Sequence, residues 1–137
     1  MLCAAPEEEF MASFMRPLEP FTYAALRAVT GFLFLWHGTQ KVLGYPPSAH
    51  AGGMPWDIQW VAGGIELVGG VLVMIGFQTR WAAFLCSGLM AVAYWRAHGW
   101  PLSLPFLNGG EPAALYCFVF LYISARGAGI WALDKAR

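Results

Sequence analysis

The chain has 137 residues, of which 58% are hydrophobic and only 12% charged, and its eight basic and eight acidic residues leave no formal net charge. That charged fraction is about half the ~25% usual for a soluble domain, and mean hydropathy is +0.53, more apolar surface than one domain this small can hide from water. A soluble enzyme is all but excluded, as are a nucleic-acid binder, which needs a basic patch against phosphate, and a disordered chain; an integral membrane protein remains.

Residues 1–20 form a polar tail containing Glu7, Glu8, Glu9 and Glu19 and broken by Pro6, Pro17 and Pro20. It lacks the basic region and short apolar core of a signal peptide. A spanning helix needs about 20 mostly apolar residues, and four segments approach that length. The first runs over 21–43 and is followed by Gly44-Tyr45-Pro46-Pro47. The second covers 56–77 and turns at Gln78-Thr79-Arg80 into a third, shorter one over 81–97. After Gly99-Trp100-Pro101 and Asn108-Gly109-Gly110-Glu111-Pro112, a fourth covers 113–130, with Pro112 well placed at a helix start. Residues 132–137 are a C-terminal tail. Sustained period-2 alternation is missing, and four strands cannot close a barrel. The expected fold is an all-α, four-helix transmembrane bundle, with residues 21–131 as its membrane domain.

With four spans both termini share a side. That side carries Arg16, Arg80, Arg126, Lys135 and Arg137, against Lys41 and Arg96 opposite. Positive residues stay inside, so both termini are expected in the cytoplasm of a multi-pass protein. Trp81 and Trp131 then mark the inner interface, and Trp56, Trp60, Trp95 and Trp100 the outer.

Ionisable groups inside spans cost about 2.5–3.5 kcal/mol each at the centre and need explaining. Arg27, Thr30, Phe34, His37 and Lys41 step by three and four along one face of span one. Gln59, Gly63, Glu66 and Gly70 do the same on span two, where the glycines permit close approach. Facing these stripes puts Glu66 between Arg27 and His37 in depth, and either is its expected partner; Lys41 is expected to snorkel to the outer interface. The polar pair is either a proton-handling or ligand site, or an ion pair that fixes the register of the bundle. A second polar group, His37, Arg96, His98 and Glu111, falls near one outer depth and suits a quinone carbonyl or a lipid phosphate. Haem between His37 and His98 is disfavoured, since nothing makes the rings face each other. A zinc site of His50, His98 and Glu111 lacks ligand spacing. Cys3, Cys86 and Cys117 show no paired-cysteine motif, and the latter two read as apolar packing.

In order and spacing the chain resembles the DoxX family of small four-span membrane proteins. The resemblance rests on Leu26-Arg27, Gly31, Phe34, His37-Gly38, Lys41 and Gly44, then Glu66-Leu67 with Gly69-Gly70, Gly76 and Thr79-Arg80. It continues through Met90, Ala93, His98, Gly109-Gly110-Glu111, Gly127, Gly129 and Asp134. The serine that usually precedes that aspartate is replaced here by Leu133. The resemblance implies the plasma membrane, a helical bundle and an association with redox chemistry, with signature positions at Arg27, His37, Lys41, Glu66, Arg80, His98 and Glu111. A membrane subunit or anchor of a quinone-linked redox system is the first functional expectation. A non-catalytic accessory subunit of a larger complex is the second, and a small-molecule transporter or lipid-binding protein the third. Expected partners are membrane lipid and other subunits, with no nucleic acid. No cofactor is evident from the sequence; the polar groups would suit a quinone, and haem is disfavoured.

Overall fold

The structure, a computed structural model, describes residues 13–47, 56–98 and 104–135. Every regular element among them is helical. A 3-10 helix over Ser13–Leu18 leads into α1, Glu19–Leu43, so part of the expected tail is folded. The other elements are α2 (Trp56–Ile75), α3 (Thr79–Ala97), a single turn α4 (Pro105–Asn108) and α5 (Glu111–Arg126).

Local chemistry sets these limits. α1 has Pro20 in its first turn, where a missing N–H is harmless, and Glu19 beside the positive end of the helix dipole. It stops at Gly44, whose φ of 68° is left-handed. α5 likewise starts on Glu111 and Pro112 and stops at Gly127. The fourth helix therefore ends at Arg126, four residues short of the expected 130, because Gly127 (φ 92°) and Gly129 (φ 69°) turn the chain. At about 1.5 Å per residue the four long helices measure about 37, 30, 28 and 24 Å.

Neighbouring helices run antiparallel. α1 and α2 are in backbone contact at two levels a heptad apart. A Cβ at Gly31 would stand 2.5 Å from the Met74 nitrogen, and one at Gly38 would strike the Leu67 nitrogen. Gly70 faces Leu35 in the same way. These glycines lock the register of the pair. α3 and α5 form the second close pair, tied at mid-height by the Ser87 hydroxyl donating to the Cys117 carbonyl at 2.8 Å. The core between the pairs is apolar. Phe34 packs on Phe120 with ring centroids 4.6 Å apart, surrounded by Val73, Cys86, Met90 and Ile123.

Among the described residues only α2 is both long and apolar enough to cross a membrane on its own terms. α1 carries Arg27 and Lys41, α3 carries Arg80 and Arg96, and α5 has 16 residues. The first and last described residues lie at one end of the bundle, called here the termini end; the opposite end is the far end.

Candidate functional site

At the termini end the charges serve the backbone. Arg27 is fully buried, and its guanidinium donates to four carbonyls. Nη1 reaches Val73 and Met74 at 2.7 and 2.8 Å, and Nη2 reaches Ile130 and Trp131 at 3.2 and 2.7 Å. It thus satisfies the last carbonyls of α2 and pins the returning C-terminal chain to them. Asp134 completes the join. Its two oxygens accept the Gln78 and Thr79 N–H groups at 2.8 Å, capping α3 from 55 residues away. Its own N–H donates to the Gly76 carbonyl. Burial alone would raise the Asp134 carboxyl, but those N–H donors and the Arg27 charge outweigh it and hold it below its ordinary value. Leu133, whose N–H donates to the Ile75 carbonyl, and Asp134 are therefore part of the folded body. Arg80 caps α5 by donating to the carbonyls of Ser124, Ala125 and Arg126. Arg126 pairs with Glu19 and lies over the Tyr23 ring, whose hydroxyl donates to Gly127.

Toward the far end one polar pair is different. Lys41 Nζ donates to Glu66 Oε1 at 2.5 Å. The lysine stem lies across Gly63, where a Cβ would stand 2.7 Å from the Lys41 Cβ, so the glycine is what lets the ammonium reach one turn along α2. Gln59 donates to the Lys41 carbonyl at 3.3 Å and closes the same side. Glu66 is 1% exposed, and its second oxygen, Oε2, is buried with no hydrogen-bond donor among the described residues. His37 lies within electrostatic range of the carboxylate. Its ring sits 6.1 Å from that of Tyr116 on α5.

Two sequence expectations are corrected. Glu66 pairs with Lys41, not with Arg27 or through a hydrogen bond to His37. The glycine contacts set Arg27 opposite Val73 and Met74, seven or eight residues and about 10–12 Å along α2 from Glu66. Lys41 turns inward to that carboxylate instead of snorkelling, with its side chain 27% exposed. Arg96 and Glu111 are exposed, and His98 meets the Asn108 carbonyl at 3.0 Å through Nδ1. His50, Cys3 and Trp100 lie outside the described residues. Among the described residues no three His, Cys, Asp or Glu side chains gather where a metal ion would sit. Sequence reasoning missed the long-range capping by Asp134 and Arg80. Their only signal was the signature spacing of Thr79-Arg80, Gly127 and Asp134.

The fold and this buried pair define a small helical bundle that keeps ionisable groups inside an apolar body. Residues 22–99 match the DoxX family, and the chain belongs to it, a family of membrane proteins. It is 45% identical over 121 residues to an uncharacterized protein of Haemophilus influenzae, covering 85% of this chain and 90% of that one. It is 30% identical over 117 residues to a Bacillus subtilis protein named "Putative oxidoreductase CatD", covering 80% of this chain and 81% of that one. No solved structure matches.

Proposed function

We propose that this protein spans the plasma membrane four times, through α1, α2, α3 and α5, with both termini in the cytoplasm and residues 21–131 as its membrane domain. Within that frame it acts as the membrane subunit or anchor of a quinone-linked redox system. The observation that carries the reading is the Lys41–Glu66 pair with Oε2 of Glu66 left without a donor. Buried polar atoms are nearly always satisfied, and an intramembrane carboxylate with spare acceptor capacity marks a proton or ligand path by default. The oxidoreductase name of the Bacillus subtilis relative agrees with it.

Reducing a quinone consumes two electrons and two protons. The electrons come from an oxidoreductase partner. This chain delivers the two protons in turn: Glu66 gives up the one held at Oε2 and takes up the next from water through His37, while Lys41 fixes the carboxyl through Oε1. Such a positioned acid gives typically 10²–10⁴-fold in rate. The second reading, an accessory subunit without chemistry, draws on the packed aromatic core and on the termini-end arginines, all engaged with the chain's own groups.

Gentle purification from native membranes with mass spectrometry of the retained components separates the two. Stoichiometric recovery with an oxidoreductase is the expected result. Recovery in a complex whose chemistry is complete without this chain supports the accessory role, and recovery alone counts against both.

A further inference from the structure

Between the start of α3 and the chain that follows α5 lies an open groove of ≈ 620 Å³, inside the range of about 300–1,000 Å³ usual for small-molecule sites. None of the intramembrane candidate residues lines it. Its charged lining is Arg80, Arg126 and Lys135 against the single carboxylate of Asp134. That carboxylate is already turned into the α3 N-terminus, where both oxygens accept backbone N–H groups. Arg126 is already paired with Glu19, so the groove presents Arg80 and Lys135 against that one carboxylate, a small excess of positive charge. It is also amphiphilic: Trp81 and Leu133 line it and are 71% and 67% exposed. A free anion would satisfy the cations and leave this apolar border unused. A lipid uses both.

We propose that this groove holds the phosphate headgroup of an anionic membrane lipid, with Arg80 and Lys135 supplying the countercharge and Trp81 and Leu133 bordering the first acyl carbons. The proposal rests on the membrane-spanning reading, which puts the termini end in the cytoplasmic headgroup layer, where anionic lipids and basic residues attract one another. The lipid site is separate from the Lys41–Glu66 pair and does not depend on any redox role.

The test is native mass spectrometry of the full chain in detergent, titrated with phosphatidylglycerol, phosphatidylcholine or inorganic phosphate. One phosphatidylglycerol should be retained at least tenfold better than phosphatidylcholine, and millimolar inorganic phosphate should not displace it. Each Lys or Arg near an anionic surface is worth about fivefold. Lys135→Gln should lower the preference by about that factor and Lys135→Glu further. Lys135 is exposed and makes no cap, so both variants should unfold at the wild-type temperature. Equal retention of the two lipids, or a preference untouched by Lys135→Glu, overturns the proposal. Displacement by inorganic phosphate also overturns it, in favour of a small-anion site. Cysteine-accessibility mapping of residues near 80 and 135 tests the membrane reading separately, so a failure of that reading is told apart from a failure of the lipid site.

Discussion

The two ends of this bundle treat buried charge in opposite ways. At the termini end Arg27, Arg80 and Asp134 bind backbone groups, most of them ones a helix terminus leaves over and the rest, Ile130 and Trp131, in the returning chain. Toward the far end the carboxylate of Glu66 meets one lysine and keeps an oxygen without a partner. Arg27 and Glu66 each keep one buried atom, Nε and Oε2, without a hydrogen-bond partner among the described residues, but Arg27 gives its other donors to four backbone carbonyls, which serves folding, whereas Glu66 meets a single side chain, which points to function. The contrast yields different responses to substitution at each end.

Arg27→Ala should do the most damage. It takes a donor from four carbonyls, of which Val73 keeps another, the Gly76 N–H, and hydrogen bonds to charged groups are worth about 1.5–3 kcal/mol each before compensation. A loss of roughly 3–5 kcal/mol is expected, seen as collapsed abundance and a much lower unfolding temperature in detergent. Lys41→Ala comes next, because it leaves the Glu66 carboxylate buried without its cation. It should cost about 2–3 kcal/mol, less than the 3–5 of a fully buried broken pair because Lys41 is partly exposed. Glu66→Gln should cost less than Lys41→Ala, since it leaves no unmatched buried charge. The double change Lys41→Met with Glu66→Met should fold as well as wild type or better. If the pair only sets register, that double variant should also keep full function; the proton-handling reading requires that it fold and be inactive.

Gly38→Ala should cost about 1–3 kcal/mol, since its Cβ meets the α2 backbone, which cannot step aside as a side chain can. The same change at Gly64, where a Cβ meets nothing within 4 Å, should be neutral or slightly stabilising by thermal unfolding. Asp134→Asn should cost about 1 kcal/mol, as for other lost helix caps, and its effect is pH-dependent. The folded carboxyl lies below its ordinary value, so its contribution is complete above the unfolded value of about 3.9. It fades as pH falls through the lowered folded value. The gap in unfolding temperature between wild type and Asp134→Asn should be widest at neutral pH and shrink below about pH 4.

The sequence made the four long helices and the polar stripes legible. Hydropathy and glycine–proline breaks place α1 to within two residues at its start and reach Leu43 at its end. The partner of Glu66 was not legible from the stripes alone. Arg27 and Lys41 turn inward from α1 while His37 is exposed, and register decides which of them reaches Glu66. Register is set by Gly31 and Gly38 meeting Gly70 and Gly63, a backbone contact that polar spacing does not reveal. The returning C-terminal chain was hidden for a different reason. Asp134 caps α3, and Arg80 caps α5, across 44 to 56 residues, whereas local cap signals look only one turn away. The end of α5 was overrun because Ala128, Ile130 and Trp131 continue an apolar pattern past Gly127, whose positive φ ends the helix.

The central claim is that Glu66 is held by Lys41 for chemistry and not for stability. The direct measurement is quinone-linked turnover in native membranes from cells making wild type or Glu66→Gln, with abundance quantified in the same samples. The account predicts equal abundance and a turnover lower by roughly a hundredfold, the scale of a lost acid–base group. Unchanged turnover, or a loss that merely follows a fall in abundance, would contradict it.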